Sequence, residues 1–168
     1  MGIAECCLDN GADKVYSIDI GETGDDFAAL SKKYPGKLFA VTANVTEEAT
    51  ITAAVDKIIE EAGGLHGMVV NAGRTHHKAA LDFTKEDIET LFNVNLFGAF
   101  YTARAAARAF IKQGVKGSVV FTASMASYRP NKVCIYLSIL TFTRLVLIIP
   151  PSVFRPLPTV LRRPVSVT

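Results

Sequence analysis

The sequence predicts an α/β fold built on parallel strands, and three observations carry that prediction. Short apolar, β-branched runs alternate with longer amphipathic stretches from residue 3 to about 132. The runs lack polar alternation, Gly67-Met68-Val69-Val70 being the plainest case, as expected of strands covered on both faces. Glycines and capping residues fall at the joints between the segments. The length, 168 residues, suits a single domain that buries roughly 70% of the surface its unfolded chain exposes.

The elements run in order along the chain. Ile3 to Asn10 has helical composition and stops at Gly11, a natural residue just past a helix end. Val15 to Ile18 reads as a strand ending at Asp19, Phe27 to Tyr34 as a helix closed by Pro35-Gly36, and Leu38 to Thr42 as the next strand. Thr46, followed by Glu47 and Glu48, is the expected N-cap of a helix whose apolar face holds Ile51, Val55, Ile58 and Ile59. That helix ends at Gly63-Gly64, and the strand from Gly67 to Val70 comes next. Thr84 with Asp87 three positions on forms a capping box that opens one long helix over 85–113, ended by Gly114. Ser118 to Phe121 is a further strand leading to Ser124.

Charge divides the chain unevenly. All 16 acidic residues lie at or before Glu89, with eight basic ones, whereas the rest carries ten basic residues and no acid. Nucleic-acid binding is not expected from this asymmetry, because Arg104, Arg108, Lys112 and Lys116 recur at four-residue steps and read as the solvated face of the long helix. Three cysteines, Cys6, Cys7 and Cys134, lack metal-site spacing and imply a reducing compartment. The opening residues do not form a signal peptide, since Glu5 and Asp9 stand where one needs apolar residues, so the cytoplasm is the expected location. Adjacent His76 and His77 cannot share a metal as an i, i+4 pair would, and they read as a solvated loop.

Beyond Lys132 the βα pattern stops. Residues 133–168 contain no Gly, Asp or Glu and hold five of the seven prolines, and they are set apart as an aberrant tail behind the βα-patterned unit over 1–132. The run from Val133 to Ile149 is shorter than the ~20 residues that span a bilayer, and Arg144 within it costs about 2.5–3.5 kcal/mol on insertion, so no membrane anchor is expected. Val133 must be encoded by a codon beginning GT, the dinucleotide that opens most introns, which leads to the expectation that the tail is translated intron.

Three motifs then point to a family. Asn71-Ala72-Gly73 succeeds a hydrophobic strand, Asn93-Val94-Asn95-Leu96-Phe97-Gly98 lies in the next helix, and Gly117-Ser118-Val119-Val120-Phe121 leads into Ser124. In that order and at those spacings they resemble the short-chain dehydrogenases/reductases over residues 2 to about 132. The resemblance implies a Rossmann-like doubly wound parallel sheet that binds NAD or NADP at the carboxyl ends of its strands. It implies that Asp19 reads the adenosine ribose hydroxyls and favours NAD, since its carboxylate would repel a 2′-phosphate. Asn44 and Val45 then flank the adenine, while Asn71, Ala72 and Gly73 let the backbone pass close to the ribose. By the same resemblance Ser124 is the catalytic serine that holds the substrate oxygen, and Asn95 anchors a proton-relay water. The substrate is a small-molecule carbonyl or secondary alcohol, polyols and ketoses above all, and the intact family member is a homo-oligomer.

The sequence departs from the family at both ends. Met1-Gly2-Ile3-Ala4 matches the last glycine of a phosphate-binding turn and the start of the helix behind it, so Gly2 and Ile3 are cofactor-binding candidates while the first strand and most of the cradle are missing. The family's Tyr-x-x-x-Lys motif is also displaced. Tyr136 has Leu140 four residues on, and the literal match Tyr128 to Lys132 lies too close to Ser124 and contains Pro130. The residues leave two functions open: a nicotinamide-dependent oxidoreductase, or a catalytically silent fragment or interaction module from a mis-spliced gene.

Overall fold

The computed structural model describes residues 1–124. The aberrant tail, Tyr128, Pro130, Lys132, Cys134 and Tyr136 lie outside the described residues. Helix α1 (Gly2–Asp9) leads through Gly11, at φ 91°, to β1 (Val15–Asp19). Next come α2 (Asp25–Lys33), β2 (Leu38–Thr42), α3 (Glu48–Ala62) and β3 (Gly67–Val70). A short 3₁₀ turn (Ala80–Asp82) precedes α4 (Lys85–Phe92), a π-helical segment (Asn93–Gly98), α5 (Ala99–Gln113) and β4 (Ser118–Phe121). Among the described residues no helix is long and apolar enough to cross a membrane.

The strands alternate their side chains between two helical layers. Val15 and Leu38 pack with Leu8 of α1 and Leu30 of α2 on one face. Tyr16, Ile18 and Val41 face the other way, into a larger core with Ile51, Val55 and Ile58 of α3 and Ala105, Ala106, Ala109 and Phe110 of α5. Met68, Val70, Val119 and Phe121 join that same core from β3 and β4. Fully burying a Val, Leu, Ile or Phe side chain contributes about 1.5–3 kcal/mol, so this face dominates the packing energy.

β1 and β2 pair in parallel from Val15 against Leu38 to Asp19 against Thr42. β3 and β4 pair in parallel from Gly67 against Ser118 to Val70 against Phe121. These pairings are the expected ones. Among the described residues the strands form two separate two-stranded ladders with one shared core, in keeping with an incomplete sheet that lacks the family's first strand. Tyr16 and Ile18 of β1 and Met68 and Val70 of β3 belong to that same core, with no backbone ladder between the two strands.

Two expectations change. The helix over 85–113 is interrupted at Asn93–Gly98, where the wider π turn accommodates Asn95 reaching back to another segment. Thr46 is not the cap of α3: Glu47 occupies that position, and the Thr46 hydroxyl and N–H both donate to Asn44 Oδ1. The Thr84–Asp87 capping box is present in both directions.

Candidate active site

The parallel register places four chain turns at the carboxyl ends of the strands: Asp19 after β1, Asn44 after β2, Asn71 after β3 and Ser124 after β4. Carboxyl ends of parallel strands are where α/β folds hold ligands, because the chain leaves the sheet there for opposite helical layers. Asp19 is exposed, and its Oδ1 accepts the Gly21 N–H at 3.1 Å, which fixes the carboxylate beside the strand end. Its second oxygen has no protein donor competing for it among the described residues.

Asn44 also organises the chain at the end of β2. Its Oδ1 accepts both donors of Thr46, its Nδ2 donates to Glu47 Oε1 at 3.0 Å, and its carbonyl accepts the Thr50 hydroxyl at 2.8 Å. The amide is committed to starting α3, leaving one N–H for an external ring. Val45 packs against Gly98, where an added Cβ would meet Val45 Cγ2 at 2.9 Å. That glycine lets the π segment approach the end of β2.

Across the second ladder, Thr122 Oγ1 donates to Asn71 Oδ1 at 2.8 Å and ties the two strand ends together. Asn95 is the second tie. Its Oδ1 accepts the Arg74 N–H and its Nδ2 donates to the Arg74 carbonyl, each at 2.8 Å, so one side chain satisfies both backbone groups of a loop residue. These two bonds leave one N–H and one oxygen lone pair of the Asn95 amide unused by the loop. Asn95 acts as a positioning residue for the turn Asn71-Ala72-Gly73.

An added Cβ at Gly73 would find only ordinary contact, 3.6 Å from Asn95 Oδ1. The protein's own packing does not demand glycine there, and the open space lies on the exposed side, which fits the close approach of a nucleotide. Gly2 and Ile3 open α1 with exposed backbone and no side-chain cap, and a Cβ at Gly2 would meet nothing within 4 Å. Glu5 in that first turn is drawn aside by Lys33, 2.6 Å away. Among the described residues no cluster of His, Cys, Asp or Glu could hold a metal ion.

The loop that leaves Gly73 is pinned a second time. Asp87 accepts Lys78 Nζ at 2.6 Å and the Thr84 N–H at 3.1 Å through Oδ2, and its Oδ1 lies 3.0 Å from His76 Nδ1. Lys78 first, then the Thr84 amide, hold the Asp87 carboxyl down to about 2. His76 also meets the Phe83 ring edge-on, so the reading of His76 as merely solvated is corrected. Arg104 and Arg108 likewise are not a bare solvated face, since both pair with Glu48 of α3. The Thr122–Asn71 tie and the Asp87 contacts with Lys78 and His76 were hidden from sequence reasoning because those partners lie outside the local pattern of each residue. Only the Thr84–Asp87 spacing offered a signal.

The comparisons with known proteins agree with this geometry. The short chain dehydrogenase family matches residues 1–138. The L-2,3-butanediol dehydrogenase of Corynebacterium glutamicum is 37% identical over 91 residues, 54% of this chain and 35% of that protein. The NADP-dependent mannitol dehydrogenase of Hypocrea jecorina is 30% identical over 135 residues, 78% of this chain and 50% of that protein. A short-chain dehydrogenase/reductase of the glucose/ribitol dehydrogenase type from Brucella melitensis superposes with a TM-score of 0.71 at 26% identity, covering 83% of this chain and 57% of that one. The chain spans about half the length, or less, of the curated relatives it matches. With the family model matching residues 1–138 and solved relatives superposing on its strands and helices, this chain, an incomplete Rossmann-like α/β fold, belongs to the short chain dehydrogenase family.

Proposed function

We propose that the chain is the nucleotide-binding part of an oxidoreductase that transfers hydride between NAD and a carbonyl or secondary alcohol, polyols and ketoses being the substrate class. Members of the family use NAD or NADP on small-molecule alcohols and carbonyls, and the mannitol and butanediol dehydrogenases are the relatives that support the substrate class. The observation that carries the reading is the double tie at the carboxyl ends of β3 and β4. Thr122–Asn71 and Asn95–Arg74 fix the turn Asn71-Ala72-Gly73 on the strand end adjoining the one that leads to Ser124.

The bound nicotinamide supplies or accepts the hydride. Ser124 directs its hydroxyl at the substrate oxygen, and the Asn95 clamp keeps the neighbouring turn from closing over the nicotinamide position. Asp19 offers its free carboxylate oxygen to ribose hydroxyls and repels a 2′-phosphate, which favours NAD over NADP. Gly2 and Ile3 present uncapped N–H groups of α1 toward the pyrophosphate. The proton donor is absent from the described residues. Ser124 is a poor acid at neutral pH, and loss of a general acid lowers rate by about 10²–10⁴.

A second reading, a fragment without turnover, is favoured by the two unjoined ladders, because the missing backbone pairing lies beside the nucleotide position. Thermal melting of the full chain with NADH and with NADPH tests both, since a ligand that binds only the folded state raises the melting temperature. The expected result is a larger shift with NADH, a narrowed difference in Asp19→Ala, and NADH oxidation with ketoses at least about 10²-fold slower than in a relative with the complete motif. No shift with either nucleotide sinks the oxidoreductase reading and supports the fragment. Preference for NADPH in the unmodified chain shows that Asp19 does not read the ribose.

A further inference from the structure

We propose that Arg74 selects substrates that carry a carboxylate, a refinement that rests on the oxidoreductase reading above. Arg74 comes directly after the Asn71-Ala72-Gly73 turn and is exposed at the mouth of the site. Its backbone is held at both the N–H and the carbonyl by Asn95, so the side chain leaves from a fixed point. Among the described residues the guanidinium itself has no hydrogen bond or ion pair, while its neighbours have partners: Lys78 and His76 are held by Asp87, and Lys85 pairs with Glu89. His77 also has a partner.

The charge around it reinforces this. No carboxylate stands between Asn71 and Leu81, and none lies beyond Glu89, so the strand end that carries Ser124 and the segment that carries Asn95 hold no acid to compete for Arg74. Asp82, Glu86 and Asp87 follow the loop in sequence, and Asp87 is already shared by Lys78 and the His76 ring nitrogen. A guanidinium binds a carboxylate in a planar two-pronged contact that a hydroxyl cannot reproduce. One free Arg, on the turn that leaves the strand end adjoining the one that leads to Ser124, therefore distinguishes a hydroxy or keto acid from the corresponding neutral polyol.

D-gluconate and D-glucitol differ in a carboxylate at one end of the same six-carbon polyol, and they test the assignment on the full chain at matched ionic strength, with and without NADH. Gluconate is expected to raise the melting temperature clearly more than glucitol does. Arg74→Gln should weaken the gluconate response about tenfold or more in apparent affinity, as removal of one charge-assisted contact does. Arg74→Lys should restore part of it. The gluconate response should also fall as salt is raised. Equal shifts with the two probes, no shift with gluconate in the unmodified chain, or a gluconate shift unchanged in Arg74→Gln would overturn the proposal. Loss of the NADH or inorganic pyrophosphate response in Arg74→Gln, with gluconate unaffected, would also overturn it by assigning the guanidinium to the cofactor. A gluconate response through Arg74 together with no response to NADH would instead sink the oxidoreductase reading alone. Because Arg74 is exposed and its backbone bonds survive substitution, an unchanged melting temperature without ligand confirms that each variant is folded.

Discussion

The two helical layers of this chain are built unequally. On one side α1 and α2 bury three side chains, Leu8, Leu30 and Leu38, and add exposed polar ties, Lys33 to Glu5 and Tyr34 to Asp9. On the other, α3 and α5 share a core with all four strands, from Val41 to Phe110. Exposed ion pairs contribute about 0–1 kcal/mol and are screened by salt, whereas buried aliphatic groups contribute several times more and are not. The difference teaches that the α1–α2 layer is the more easily opened one. The α3–α5 layer, packed against all four described strands, forms the stronger core.

The sharpest test of that contrast is a matched pair of truncations. Ile51 is completely buried among α3, α5 and the strands, and Ile51→Ala should cost about 3–5 kcal/mol. Leu8→Ala, at 6% exposure but in the small cluster, should cost about 2–3 kcal/mol, near the lower end of the same range. Urea denaturation measures both. Equal losses would show that the two layers are energetically alike.

A smaller effect tests the seam between the halves. In Gly98→Ala the new methyl would lie 2.9 Å from Val45 Cγ2 and 3.1 Å from the Val45 carbonyl oxygen, and overpacking of this kind costs about 1–3 kcal/mol. Val45→Ala in the same chain should recover part of the loss, since it removes the side-chain clash and leaves the carbonyl contact. No destabilisation in Gly98→Ala would mean that the π segment does not press on the end of β2.

The smallest expected effect concerns acid stability. The Asp87 carboxyl is lowered from 3.8 to about 2 in the folded chain by Lys78 and the Thr84 amide. A depressed carboxyl stabilises the fold fully above its unfolded value, and that contribution disappears as pH falls from about 4 through about 2. Melting temperatures across that interval should fall less steeply in Asp87→Asn than in the unmodified chain. Parallel acid limbs would show that the clamp on loop 74–84 contributes nothing to stability.

Much of the fold was legible because it rests on local rules. Apolar β-branched runs located all four strands to within about a residue, and the Thr84–Asp87 spacing found its reciprocal capping box. Gly11, Gly63 and Gly114 stood at helix ends and adopt positive φ there. The site positions were legible by resemblance, since motif order fixes which residues leave the strand ends.

The sequence by itself therefore determined the element order, the parallel pairing within each ladder and the residues gathered at the carboxyl ends, because periodicity and turn chemistry act over a few neighbouring residues. The tertiary structure alone decided the split into two ladders, the π turn that aims Asn95 at Arg74, the bonding of Asn44 to the start of α3 and the capture of Arg104 and Arg108 by Glu48. Each of these depends on a partner between 21 and 60 residues away or on which backbone groups find a mate, apart from Asn44, whose competing use is local but invisible until the helix start is fixed. Hydrogen-bond choice among equally polar partners is made by three-dimensional proximity, and no spacing rule along the chain encodes it.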